Sequence, residues 1–342
     1  MTHAYVLNLS CPDQLGLVHA VSGFLLEHSG NIEEAAQYND PATGLFFMRV
    51  QFACAQSHAA LSEHLTSFAQ PYQMRWSLRA TAQPMPTVIL VSREGHCLND
   101  LLFRWKSGLL PVDIRAIISN HRDFYQLAAS YNVPFHHIPV TAATKAQAEA
   151  RQFDIIEAEG AELVVLARYM QVLSDDLCTK LAGRAINIHH SFLPSFKGAK
   201  PYYQAHDRGV KLIGATAHYV TADLDEGPII EQDVTRADHK DTVEALTARG
   251  RDTESQVLAR AVNGTASTAS CSTVTKQSSF DDTLLAVVLV PPNCKLLLTQ
   301  NLCSSAWGGF QGASARAISP RCDSTNSASP ISPPTSVPLM RM

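Results

Sequence analysis

The sequence predicts an α/β protein that contains an N-terminal βαββαβ sandwich and a second, doubly wound and mostly parallel sheet. The first observation is the regular alternation of strand and helix patterns after residue 86, which is typical of right-handed βαβ units. The second is the proline-rich linker Thr81–Pro86, which separates that region from a shorter one. At 342 residues the chain is long enough for two domains and an appendage. We place the domains at residues 1–83 and 84–263, and an irregular tail at 264–342.

The first domain has strands and helices of ordinary length in the order of a split βαβ unit. Its strands are expected at Ala4–Ser10, Ile32–Gln37, Leu45–Phe52 and Met74–Ala80, and its helices at Leu15–His28 and His58–Phe68. Apolar residues recur at helical spacing in the first helix, and Gly30-Asn31 ends it. Cys11–Gln14 is interpreted as a turn.

The second domain opens with the continuous apolar run Thr87–Val91, which is typical of a strand covered on both faces. Further strands are expected at Val112–Ile118, Phe135–Pro139, Leu163–Ala167, Ala185–His189 and Gly214–Val220. Helices are expected at Leu98–Ser107, Arg122–Tyr131, Lys145–Ala158 and from Gly250 onward. Ligands of such sheets bind outside the carboxyl ends of the strands.

Composition argues against several classes of function. The net charge of -4 does not favour a nucleic-acid partner. No apolar run approaches the roughly 18 residues of a membrane span, and the start of the chain lacks the pattern of a secretory signal. The eight cysteines lack metal-finger spacing, so we expect reduced thiols and a cytoplasmic location.

Three polar residues predict chemistry at a carbonyl carbon. In a strand over Ala185–His189, Asn187 and His189 share one face, and Asp225 follows the next predicted strand. An amide can stabilise an oxyanion, an imidazole can transfer a proton near neutral pH, and a carboxylate can orient the imidazole. No G-x-S-x-G elbow is present, so direct attack by water is the simpler route.

Other interpretations of these residues stay open. Asn187 and His189 can be ordinary paired polar groups at a strand end, and Asp225 can be a turn residue before Gly227-Pro228. His190 and His218 can serve packing, with His218 the better functional candidate of the two. Because adjacent residues of a strand point in opposite directions, a metal site built from these histidines is disfavoured, and we predict no metal.

The N-terminal region resembles an ACT domain in three features: its first strand, the segment CPDQLGLV and the segment GNI after the first helix. The resemblance implies a small-molecule sensing module in a homo-oligomer. It implies an amino-acid effector, glycine or methionine, near Asp13, Gly16 and Asn31. A purely structural or dimerising module is the alternative, because a fold alone does not set a function.

The segments INIHHSFLPSFKGAKPY and GATAHYVTADLDEGPIIEQDV resemble the folate-dependent formyltransferases, and in particular the branch whose acceptor is water. The resemblance implies Asn187, His189 and Asp225 as catalytic residues. It implies a folate pocket at Gln171, Val172, Leu173, His218 and Val220. The expected reaction converts 10-formyltetrahydrofolate to tetrahydrofolate and formate, with no permanently bound cofactor.

One difference from the branch that uses an amine acceptor favours water as the acceptor here. In the branch that uses glycinamide ribonucleotide, a glycine-containing phosphate loop follows the first strand of the domain. Here Ser92–Asp100 keeps one glycine, and Glu94 would repel a phosphate, although Arg93 can compensate. An amine-directed formyltransferase and a non-catalytic sensing module are the alternative functions.

The tail, residues 264–342, is rich in Ser, Thr, Ala and Pro and shows no sustained period. Permitted codons for Gly264–Phe280, read one base out of frame, encode a peptide that resembles the closing segment of the same family. We therefore interpret the tail as the product of a frameshift. A natural disordered extension is the alternative.

Overall fold

The computed structural model describes residues 2–194 and 201–268. Almost all of the predicted tail, and with it the frameshift hypothesis, lies outside the described residues. The first unit consists of strands β1 (His3–Pro12), β2 (Asn31–Asp40), β3 (Leu45–Cys54) and β4 (Arg75–Ala80), and of helices α1 (Leu17–Glu27) and α2 (His58–Ala69). The predicted βαββαβ order is confirmed.

The strands of the first unit form an antiparallel sheet in the order β2-β3-β1-β4. Apolar side chains from the sheet and both helices, among them Leu7, Leu25, Val50 and Leu61, make its core. The turn predicted at Cys11-Pro12 is wrong, because both residues belong to β1 and pair with Phe46 and Leu45 of β3. Pairing with the long neighbouring strand β3 overrides the local turn preference of these two residues.

The second unit contains seven strands and six helices among the described residues. Its strands are β5 (Met85–Val91), β6 (Val112–Ser119), β7 (Phe135–His137), β8 (Leu163–Leu166), β9 (Ala185–His189), β10 (Leu212–Tyr219) and β11 (Ile229–Arg236). Its helices are α3 (His96–Lys106), α4 (Tyr125–Ser130), α5 (Lys145–Ala158), α6 (Asp175–Lys180), α7 (Pro201–Asp207) and α8 (Val243–Thr268).

These strands form one sheet in the order β11-β10-β9-β8-β5-β6-β7. The five strands from β5 to β9 run parallel, whereas β10 and β11 are antiparallel additions at one edge. Buried apolar clusters cover both faces of the sheet, so the predicted doubly wound fold is confirmed. None of the described helices combines the length and the apolar character needed to cross a membrane.

Three parts of the second unit differ from the prediction. β5 begins at Met85, inside the predicted linker, because Met85 and Pro86 already pair with β6. β11 has no predicted counterpart, since its alternating polar residues carry little apolar signal. α8 continues to Thr268, past the domain boundary predicted at residue 263. Thr265 and Ala266, in this additional part of the helix, are buried.

The two units are joined by polar contacts at the start of the second sheet. The guanidinium of Arg79 on β4 donates to the carboxylate of Glu162, just before β8. The backbone N–H of Thr81 donates to the carbonyl of Ala4 at 2.9 Å, which keeps the linker on the first sheet.

We expect Gly227→Ala to lower the free energy of unfolding by about 1–3 kcal/mol, the usual cost of overpacking. Gly227 lies in the β10–β11 connection, and a Cβ there would sit 1.8 Å from the carbonyl oxygen of Tyr219. Urea unfolding measures the effect. Gly23→Ala in α1 is the control, because a Cβ there meets nothing within 4 Å and alanine favours a helix. Equal losses of stability in the two variants would contradict the prediction.

Candidate active site

Two of the predicted catalytic residues lie on β9. Ile186 and Ile188 pack into the core on one face of the sheet, and Ala185 packs into the core on the other. Asn187 and His189 share the face of Ala185, as the two-residue period predicts. In the register with β10, Asn187 pairs with His218 and His189 pairs with Thr216.

Asp225 reaches these residues because the connection after β10 folds back on itself. The backbone N–H of Tyr219 donates to the carbonyl of Pro228 at 2.9 Å, which closes the loop. Asp225 adopts a left-handed backbone conformation with φ 58. Its Oδ1 lies 3.3 Å from His189 Nδ1 and 3.7 Å from His218 Nε2.

The amide of Asn187 is oriented through His218. His218 Nδ1 donates to the carbonyl of Tyr219 at 2.9 Å, so in a neutral ring Nε2 is the acceptor. Asn187 Nδ2 lies 3.2 Å from that Nε2 and donates one N–H to it. The second N–H of the same amide can then be donated to a substrate oxygen.

Burial and hydrogen bonds oppose each other at the carboxylate. Burial raises the pKa of the Asp225 carboxyl, but its contacts with the imidazoles of His189 and His218 lower it by more, so the pKa lies well below its ordinary value. His190 behaves differently, since burial and the charge of Arg168 lower its pKa to about 4. Asp225 is therefore charged, and His190 is neutral, near pH 7.

His189 has the contacts of a proton-transfer group. Its side chain is 5% exposed, Nδ1 faces Asp225, and Nε2 has no hydrogen-bond partner among the described residues. It lines a cavity of about 610 Å³, within the usual size range of small-molecule sites. The predicted binding residues Gln171, Val172, Leu173, His218 and Val220 all line the same cavity.

Buried hydrogen bonds hold the segment that precedes α6 against the sheet. Ser92 at the end of β5 accepts from the N–H of Met170 at 2.9 Å, and its own N–H donates to the carbonyl of Arg168 at 3.2 Å. Gln152 donates to the Tyr169 hydroxyl at 2.8 Å. These contacts fix Gln171, Val172 and Leu173 as one wall of the cavity.

The cavity continues into a charged end that sequence reasoning missed. The carboxylate of Glu254 on α8 is 1% exposed. It accepts hydrogen bonds from the Tyr202 hydroxyl at 2.5 Å and from His96 Nε2 at 2.8 Å, and Arg168 Nε lies 3.3 Å away. Burial raises the pKa of Glu254, but the His96 hydrogen bond and the Arg168 charge lower it below its ordinary value. The polar periodicity of α8 gave no sign of this, because the contacts join distant parts of the chain.

His96, Cys97 and Glu254 also have the spacing of metal ligands, with their donor atoms within 4.8 Å of one another. They do not fit a metal ion. Glu254 already faces Arg168, a cation, and burial followed by the charge of Glu254 raises the pKa of the Cys97 thiol well above its ordinary value. The group is an ion-pair network.

Glu94 does not face an open phosphate loop. Its carboxylate pairs with the guanidinium of Arg251 on α8 at 2.7 Å, at the same charged end of the cavity. The predicted repulsion of a phosphate at this loop stays a prediction.

The three predicted effector residues do not form one site within a chain. Asp13 and Gly16 lie between β1 and α1, beside the sheet end where Pro12 pairs with Leu45. Asn31 pairs with Ala53, eight residues further along β3, and so lies about 26 Å away at 3.3 Å per residue.

Comparisons with known proteins identify relatives of this chain. The Formyl transferase family profile matches residues 85–262. A formyltetrahydrofolate deformylase of Corynebacterium sp. (strain P-1) is 51% identical over 75% of this chain and 91% of its own length. The crystal structure of the deformylase of Burkholderia mallei has 54% identity and a TM-score of 0.75, covering 77% of this chain and 94% of that one.

A glycinamide ribonucleotide transformylase of Symbiobacterium toebii is a more distant structural neighbour. It has 32% identity and a TM-score of 0.51, covering 56% of this chain and 91% of that one. The similarity to the deformylases is greater in identity and in coverage and extends over the N-terminal unit. The chain belongs to the formyltetrahydrofolate deformylase family.

Proposed function

We propose that the protein hydrolyses 10-formyltetrahydrofolate to tetrahydrofolate and formate. One observation carries the proposal: His189 has its Nδ1 against a buried carboxylate and its Nε2 without a partner, in a cavity that it shares with the Asn187 amide. Relatives that carry the name formyltetrahydrofolate deformylase support the same substrate and reaction.

The chemistry follows from the roles that these groups can take. Water attacks the formyl carbon, and His189 Nε2 accepts a proton from it. The Asp225 carboxylate stabilises the imidazolium, while the free N–H of Asn187 donates to the developing oxyanion. When the intermediate collapses, His189 returns the proton to N10, the bond from carbon to N10 breaks, and tetrahydrofolate and formic acid form; the acid then releases its proton to solvent as formate.

The rival function is formyl transfer to an amine. The more distant structural neighbour from Symbiobacterium toebii is named a glycinamide ribonucleotide transformylase. The comparisons argue against the rival function, because identity and coverage are higher for the proteins named deformylases than for that transformylase. We therefore favour water as the acceptor. The rival non-catalytic sensing function has no feature in its favour at the assembled site.

Further parts of the proposal concern the setting of the reaction. We place the enzyme in the cytoplasm as a homo-oligomer, without a permanently bound cofactor and without a nucleic-acid or membrane partner. The released formate would supply purine synthesis and help balance the one-carbon folate pools. The N-terminal unit would bind glycine or methionine as an effector.

Purified protein is expected to release formate from 10-formyltetrahydrofolate without an added amine. His189→Ala should lower kcat by about 10²–10⁴-fold, the usual contribution of a proton-transfer group. Formate is measured by a coupled dehydrogenase assay. His239→Ala, which removes an exposed histidine paired with Asp238, is the matched control and should keep wild-type turnover. A strict requirement for an amine would overturn the proposed function.

Asp225→Asn is expected to lower kcat/KM by at least about 10²-fold at every pH between about 5 and 9. The pKa of Asp225 is lowered, so its contribution is complete above the ordinary carboxyl value and is lost only as pH falls through the lower, folded-state value. The full pH profile of both proteins measures this. Asp176→Asn, an exposed substitution on α6, is the control. A loss confined to the acidic side would contradict the assignment.

Effector binding is expected to require two copies of the chain, because Asp13 and Asn31 lie at opposite ends of one sheet. Calorimetric titration with glycine and with methionine, combined with sedimentation, tests this. Asp13→Ala and Asn31→Ala should each weaken binding of the same ligand by about tenfold, the loss of one polar contact. Tight binding of either amino acid by a monomer would refute the shared site.

A further inference from the structure

Arg168 has an unusual backbone conformation at the edge of the cavity. Its φ of 62 lies in the left-handed region, which disfavours side chains larger than glycine, asparagine or aspartate. Ser92 fixes this conformation by bonding to the carbonyl of Arg168 and the N–H of Met170. Strain of this kind persists where the surroundings impose it, and it is concentrated at functional sites.

The side chain of Arg168 lies in an ion pair at the charged end of the cavity. It is 11% exposed, and its Nε lies 3.3 Å from Glu254 Oε2. Glu254 is in turn fixed by His96 and Tyr202, so groups from the end of β8 and from α3, α7 and α8 meet at one buried carboxylate. Gly250 makes room for this, since a Cβ there would lie 2.0 Å from the Tyr202 hydroxyl.

This cluster lies next to the reacting groups. Arg168 follows β8, which is the parallel neighbour of β9, and it lines the same cavity as His189. The ring of His190 lies 5.2 Å from that of His189 and 6.2 Å from that of Tyr202. The charged end of the cavity therefore adjoins the position expected for the formyl carbon.

We propose that Arg168 is a specificity-determining residue. Its side chain, paired with Glu254, excludes nucleophiles larger than water from the part of the cavity beside the formyl carbon. The inference rests on the proposed hydrolysis. Formyl transfer on a similar fold needs space for an amine substrate at the formyl carbon, whereas water occupies only about 30 Å³. The Arg168 side chain is paired with Glu254 and lines the same cavity as His189 and Asn187.

Arg168→Gly is the variant that tests the inference. Glycine has no steric penalty at φ 62, and Glu254 keeps its bonds from His96 and Tyr202. The added nucleophile is hydroxylamine, a small amine that is uncharged near neutral pH. Its nitrogen attacks the formyl carbon, the bond from carbon to N10 breaks, and N10 takes the proton, so the products are formohydroxamate and tetrahydrofolate.

The measured quantity is the ratio of formohydroxamate to formate at a fixed hydroxylamine concentration, corrected for the reaction without enzyme. We expect Arg168→Gly to raise this ratio at least tenfold over wild type. Arg168→Met keeps the bulk without the charge and should stay near the wild-type ratio. Asn132 also has a left-handed backbone, at φ 58, but does not line the cavity, so Asn132→Gly should change neither product.

Two results would overturn the inference. An unchanged ratio in Arg168→Gly with formate release retained would show that Arg168 does not exclude the amine. Loss of both products in a folded variant would make Arg168 part of the hydrolytic machinery instead. Arg168→Asn, which also tolerates this backbone region, replaces the glycine variant if that protein does not fold. Formate release by wild type alone tests the proposed hydrolysis separately.

Discussion

The contact between the Asp225 carboxylate and two imidazoles is the constraint on which the active site depends. A carboxylate that is only 8% exposed is stable as a charged group only with close hydrogen-bonding partners. His189 Nδ1 supplies one at 3.3 Å and the His218 ring lies 3.7 Å away, but only if the β10–β11 connection folds back over the sheet. That fold-back requires the left-handed backbone of Asp225 and the absence of a Cβ at Gly227, next to the Tyr219 carbonyl.

The second buried carboxylate, Glu254, plays a matching part at the other end of the cavity. Its hydrogen-bond donors His96 and Tyr202 and the guanidinium of Arg168 come from three separate parts of the chain, so moving any one of them would leave a buried charge less well paired. The two carboxylates thus tie loops and helices to the sheet edge on both sides of His189. A site held in this way can present its dipoles to a reacting carbonyl without reorganising first.

Most of the fold could be predicted because its strands and helices have strong local signals. The apolar run in β5 and the helical period of α5 depend on nearest neighbours along the chain. The prediction failed where pairing overrides local preference, as at Cys11-Pro12 in β1. It also failed where the strand is polar, as in β11, which is added to the edge of the sheet and shows little apolar alternation.

The sequence by itself determined that Asn187 and His189 share one face, because the two-residue period of a strand is a local property. It also placed Asp225 in a turn after the next strand, and its motifs predicted the walls of the cavity. Only the tertiary structure decided that Glu254 meets His96 and Arg168, since 158 residues separate His96 from Glu254. Such contacts depend on strand order and on how helices cross the sheet, and no local pattern encodes either.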